Sequence, residues 1–195
     1  MVERIKLLVG LANPGRRYVG TRHNVGAGVV QALARLGNIQ LKEEARFFGM
    51  VGKTLVADQN THLLIPTTYM NLSGKAVSTL ARFYLIEPEE IAVVHDEFNL
   101  APGAARLKRG GGHGGHNGLK DVIEKLGGNR NFLRIKVGIG RPLPGDAVAF
   151  VLGKPSRLDR DRIDRVICES VHCLNILLRD NLTKAQSQLH SFRTE

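Results

Sequence analysis

Along the chain, short apolar runs alternate with longer stretches in which apolar residues return every three or four positions, a division into strands and helices. Ile5-Lys6-Leu7-Leu8-Val9 reads as a buried strand that runs into Gly10-Leu11-Ala12-Asn13-Pro14-Gly15. The Pro-Gly step there turns the chain and leaves Asn13 at the strand's C-terminal end. From Asn24, an N-cap residue type, Val25, Val29, Val30, Leu33 and Leu36 recur at helical spacing, so His23 stands just ahead of a helix. Strands are expected at Val51 to Ala57 and His62 to Ile65, followed by the loop Pro66-Thr67-Thr68-Tyr69-Met70-Asn71. Ser73 is expected to cap the next helix, which carries Ala76, Val77, Leu80, Ala81 and Tyr84 on one face.

Ile91-Ala92-Val93-Val94 is a continuous apolar strand ending in His95-Asp96-Glu97. A glycine-rich loop, Gly110 to Gly118, leads into a helix with Leu119, Val122, Ile123 and Leu126 on one face. The next strand alternates Leu133, Ile135, Val137 and Ile139 with Arg134 and Lys136 opposite. Ser156 then opens a long helix with Ile163, Val166, Ile167, Val171, Leu174 and Leu178 facing inward. Strands interleaved with helices predict an α/β fold: one domain over residues 1–195, a three-layer sandwich with a mixed, largely parallel sheet flanked by helices. In such sheets ligands sit beyond the strands' carboxyl ends, so Asn13, His23, Asn71, Asp96 and Asn117 are expected to converge on one crevice.

Composition adds three constraints. At 195 residues and 43% hydrophobic the chain can bury a core without disulfides or metals. Cys168 and Cys173, five apart on a helical stretch, read as reduced packing residues, which points to a reducing compartment. Without a signal-peptide pattern or an apolar run long enough to span a bilayer, a soluble cytoplasmic protein without membrane contact is expected. The net charge of +10 points toward a polyanion, and from Phe98 to Gly145 nine Lys or Arg face only two acids. Aromatic content of 5% with no Trp disfavours base stacking and fits backbone and shape readout of a folded RNA.

The chemistry narrows by elimination. Gly-x-Ser-x-Gly is absent and the cysteines lie in a packing helix, which leaves water as the attacking group, activated by a histidine or a metal. His23, at a loop-to-helix junction, stands equally as a general base and as a contact flanking the helix, and Asp96 is a carboxylate able to orient it. His95, Asp96, His113 and His116 form a rival set for a metal-dependent phosphoesterase. His62, His172 and His190 are assigned to packing or surface. The glycine loop permits close approach to a phosphate or ribose but carries no complete nucleotide fingerprint.

Three segments resemble the bacterial peptidyl-tRNA hydrolases: Gly10 to Gly15 with Tyr18 and Thr21-Arg22-His23-Asn24-Val25-Gly26; Pro66 to Gly74; and His95-Asp96 followed by Gly110 to Leu119. The likeness continues through Gly138-Ile139-Gly140-Arg141-Pro142, Phe150-Val151-Leu152-Gly153 and Leu182-Thr183-Lys184-Ala185. It implies a monomeric, metal-independent enzyme without a cofactor that cleaves the ester between a peptide and the tRNA 3′ ribose. By that resemblance His23 takes the proton from water, Asp96 orients His23, and Asn13 reads the peptide beside the ester. Tyr18, Tyr69, Asn71 and Asn117, with Met70 and His116 beside them, line the substrate channel, and Lys108 and Lys136 grip the tRNA 5′ phosphate. Position 136 often carries arginine in that family, and Leu143-Pro144-Gly145-Asp146-Ala147 lacks a lysine some members have. A non-catalytic RNA-binding relative is the remaining alternative.

Overall fold

The computed structural model describes residues 2–142 and 146–194; the expectation about a lysine missing after Pro142 falls largely on 143–145, outside them. Strands β1 (Leu7–Gly10), β2 (Lys42–Glu44), β3 (Gly49–Val56), β4 (Gln59–Pro66), β5 (Ile91–Glu97), β6 (Ala105–Arg109) and β7 (Leu133–Gly138) form one sheet in the order β2-β3-β4-β1-β5-β7-β6. The central four, β4-β1-β5-β7, are mutually parallel, while β2 and β3 on one side and β6 on the other add antiparallel pairs. The sheet is therefore mixed, with its parallel part at the centre.

The helices are α1 (Val25–Leu36), α2 (Ser73–Phe83), α3 (Asn117–Lys125), α4 (Ala147–Leu152), α5 (Arg157–Arg179) and α6 (Leu182–Ser191). Strand alternation sorts them into layers. Leu8, Leu63, Ala92, Val94 and Ile135 pack against Val29 and Val30 of α1, Ile163 and Val166 of α5, and Ala185 and Leu189 of α6. Leu7, Val9, Leu64 and Val93 pack on the other face against Val77 and Leu80 of α2 and Leu119 and Val122 of α3. Both faces are covered, which is why β1 is buried at every position. Ser156 caps α5 as expected, its side chain accepting from the Asp159 N–H at 3.1 Å.

Ser73 does not act as expected. It is the first residue of α2, and its hydroxyl donates to the Met70 carbonyl at 2.8 Å instead of accepting from the helix. Gly10 and Gly26 bring α1 against the central strands. A Cβ on Gly10 would lie 2.4 Å from the Gly26 carbonyl oxygen, and one on Gly26 would lie 2.4 Å from that of Val94. Backbones at this separation exclude any side chain, and the approach carries the start of α1 to the C-terminal end of β5.

Candidate active site

The chain before α1 is tied to the end of β1 by one side chain. Asn24 Oδ1 accepts from the Asn13 N–H at 2.8 Å and Asn24 Nδ2 donates to the Asn13 carbonyl at 2.9 Å. The expected N-cap role of Asn24 is therefore not observed: it occupies the capping position, but its amide is committed to Asn13. Asn13 Oδ1 accepts from the Met70 N–H at 2.8 Å, so the loop after β4 is fixed to the same asparagine. With that oxygen committed, the remaining polar group of the Asn13 amide is Nδ2, a donor.

His23 reaches β5 through Nδ1, 2.8 Å from Asp96 Oδ1. His116 places Nε2 on the same oxygen at 3.0 Å. The two imidazoles are not equivalent. His116 is the N-cap of α3, and its Nδ1 accepts from the Leu119 N–H at 3.2 Å, so both of its ring nitrogens are committed. His23 spends only Nδ1 on Asp96, which fixes the tautomer carrying hydrogen there and leaves Nε2 with its lone pair. Of the two, only His23 has a nitrogen able to take a proton from water without losing a structural bond.

Burial acts to raise the Asp96 carboxyl, but His116, by charge and hydrogen bond, and then His23 outweigh it and hold the group below the ordinary aspartate range. His95, the preceding residue, is buried and donates from Nδ1 to the Asp96 carbonyl at 2.7 Å. Burial, then the neighbouring His116, push its pKa down to about 3, so it is neutral at ordinary pH.

Residues His23, Asp96, His116, Asn117 and Lys136 line a cavity of about 140 Å³ whose apolar wall includes Val148 and Val151 of α4. Asn13, Tyr18, Tyr69 and Asn71 are not in its lining. Tyr18 and Tyr69 meet edge to face at 6.5 Å on the Asn13 side, and Tyr69 and Asn71 are exposed. Met70 is not a lining residue either: it is buried, holds Asn13 through its backbone, and packs beneath Gly118, where a Cβ would come within 2.6 Å of its sulfur. Lys108 and Lys136, joined by Arg106, line a neighbouring groove of about 460 Å³. Lys136 is not a free cation there, because its Nζ lies 2.7 Å from Glu97 Oε2.

The metal set expected as a rival is not assembled. Among the described residues, the groups whose ligand atoms come within 4.8 Å of one another are His23, Asp96 and His116. His113 is exposed and accepts from the Gly115 N–H. Two imidazoles and a carboxylate are a usable donor set, but the facing nitrogens are those hydrogen-bonded to Asp96, and a cation would have to break both bonds.

Sequence reading missed three residues that shape the site: Asn24, Glu97 and Arg134. Arg134, read as lying on the strand face opposite the apolar residues, is 1% exposed, and its guanidinium donates to the Gly111 and Gly112 carbonyls. Its strand alternation is correct; what the sequence does not display is that the glycine loop covers that face.

The peptidyl-tRNA hydrolase family model matches residues 7–195. Proteins named peptidyl-tRNA hydrolase from Vibrio campbellii and Vibrio cholerae are each 57% identical over 196 residues, covering all of both chains. A crystal structure of peptidyl-tRNA hydrolase from Acinetobacter baumannii superposes with a TM-score of 0.94 at 38% identity, covering 99% of this chain and 98% of that one. This chain belongs to the peptidyl-tRNA hydrolase family.

Proposed function

We propose that the protein hydrolyses the ester between the C-terminal carboxyl of a peptide and the tRNA 3′ ribose, with His23 as general base. Neutral His23 takes a proton at Nε2 from water, and the resulting hydroxide adds to the ester carbonyl. As the tetrahedral intermediate collapses, the ribose oxygen leaves and receives that proton, giving free tRNA and a peptide carboxylic acid that loses its proton to solvent. General-base assistance of this kind is typically worth ~10²–10⁴ in rate. Asp96 stabilises the imidazolium while it exists. Asn13 Nδ2 donates to the peptide beside the ester, and Asn71 or Asn117 supplies an amide to the developing oxyanion. Tyr18 and Tyr69 flank the channel, His116 holds Asp96 through the oxygen that also bonds His23, Met70 backs the channel from beneath, and Lys108 with Lys136 receives a tRNA phosphate. The protein acts without a metal ion, as a single-domain cytoplasmic monomer.

One observation carries this reading: His23 and His116 share one carboxylate oxygen, yet only His23 retains an uncommitted ring nitrogen. The test is His23→Ala assayed on peptidyl-tRNA. Release should collapse while tRNA binding persists, and wild-type release would remove His23 from the mechanism. A chelator should leave wild-type turnover unchanged, and loss restored by a divalent cation would overturn the metal-free route. Sedimentation at micromolar concentration should give a monomer.

A further inference from the structure

Among the described residues, Arg134 is the largest of the fully buried side chains, yet it forms no ion pair with a carboxylate. Burying a guanidinium is costly unless its donors are satisfied. Here Nη1 donates to the Gly112 carbonyl and Nη2 to that of Gly111, while the guanidinium lies 4.6 Å from the centre of the Phe132 ring. Burial, then the nearby charge of Arg130, act to lower its pKa. The two carbonyls therefore supply the oxygen atoms that compensate the charge, and they do so only while the loop keeps its present path.

That path is set by glycine. Gly110 and Gly111 hold φ values of 72° and 106°, in the region that L side chains rarely enter, and this turns consecutive carbonyls toward the sheet. A few residues on, the same loop delivers His116 to Asp96 and Asn117 to the start of α3. We infer that Arg134 is a positioning residue for hydrolysis: a buried latch that holds the Gly111–Gly112 carbonyls and thereby sets His116 and Asn117 against the Asp96–His23 pair. The inference rests on the hydrolase reading above for its kinetic consequence, and on the structure alone for the latch.

The latch makes loop opening expensive, because lifting Gly111 and Gly112 strands a buried cation with no replacement acceptor. A point charge does not do the same work. Lysine offers one ammonium group where the guanidinium presents a fork matched to two adjacent carbonyls. Arg134→Lys should thus keep the fold and weaken the latch, and Arg134→Met should abolish it. Displacing a catalytic group by about 1 Å can cost roughly 10²-fold, so kcat should fall on that order in Arg134→Met and less in Arg134→Lys, with the lysine variant partly rescuing.

The experiment pairs two readouts. Amide hydrogen exchange on the intact protein should show faster exchange at 110–116 in Arg134→Lys, with the β1 and β5 amides unchanged. Gly111→Ala, which strains the same turn from the loop side, should give kcat losses that are non-additive with Arg134→Lys in a double-mutant cycle. Unchanged loop exchange, strictly additive losses, or faster exchange with wild-type kcat would each overturn the latch. If wild-type protein released no peptide, the hydrolase reading would fail instead, while the exchange result would still decide whether Arg134 holds the loop.

Discussion

Replacing Asp96 with asparagine keeps the shape of the side chain and removes its charge. Oδ1 of Asp96 accepts from His23 at 2.8 Å and His116 at 3.0 Å, and an asparagine carbonyl can occupy that position and accept from both. What it cannot do is compensate the imidazolium formed when His23 takes a proton. With charge centres about 4 Å apart and an effective dielectric near 20, that interaction is worth about 4 kcal/mol. At 1.36 kcal/mol per tenfold, the expected loss in kcat is roughly 10³-fold. If the amide turns its NH2 toward His23 instead, the ring must present a lone pair at Nδ1 and carry its hydrogen at Nε2. No base then faces the cavity, and the loss approaches the roughly 10⁴-fold known for such tautomer errors. The assay is single-turnover release of labelled N-blocked amino acid from its tRNA, with tRNA binding measured in parallel by filter retention. A loss below tenfold with unchanged binding would refute the assignment of Asp96 as the partner of the base.

Four further outcomes follow from the same geometry. Because the folded carboxyl of Asp96 is held below the ordinary aspartate value of about 3.9, its contribution to stability is complete above that value and lost as pH falls toward the folded one; Asp96→Asn should flatten the acid loss of Tm below about pH 4. Gly74→Ala should destabilise by about 1–3 kcal/mol or more in urea melts, since a Cβ there would lie 2.3 Å from the Asp121 carbonyl oxygen and disturb the Gly74 N–H bond to Asp121 at 2.7 Å. Lys108→Gln should weaken binding similarly across tRNA sequences and reduce the salt slope by about one unit. A maleimide should label Cys168 in the folded protein and spare Cys173, which is buried, bonds the Ala185 carbonyl, and has its thiol pushed up to about 12 by burial and then by Glu169.

Periodicity made most of the scaffold legible because both sheet faces are buried, so core strands and helix stripes had to be apolar. It failed where an element carries charge. In β2, Lys42–Glu44, no residue is fully buried, and in β6 only Ala105 and Leu107 are, between Arg106, Lys108 and Arg109. That edge is covered by α6, whose Ala185 and Leu189 share a core with Ala105 and Leu107 and whose polar side chains pair the edge backbone: Gln186 Nε2 donates to the Leu107 carbonyl and His190 Nε2 accepts from its N–H. Of the two capping expectations that failed, each named a residue able to cap, but Asn24 and Ser73 both found competing partners nearby in space. His23 and Asp96 lie 73 residues apart, and spacing alone could not join them. The ordered motifs shared with the family did so.

Asp96 and Arg134 are both buried ionisable side chains without a permanently charged partner: Asp96 accepts from two imidazoles and Arg134 donates to two backbone carbonyls. Stability alone would not retain either, since an apolar residue of similar volume in such a place is often neutral or stabilising. Their positions divide the work. In the proposed mechanism Asp96 is negative where a positive charge appears on His23. Arg134 lies beneath the loop that, on the latch inference, must stay in place for His116 to bond the same Asp96 oxygen as His23. Meanwhile the cations toward solvent, Arg106, Lys108 and Lys136, line a separate groove, with Lys136 neutralised by Glu97 between the two cavities. A substrate phosphate entering that groove must compete with Glu97 for Lys136, so Glu97→Gln should tighten tRNA binding without altering the His23–Asp96 pair; weaker binding would make Glu97 a support for Lys136 instead of its competitor.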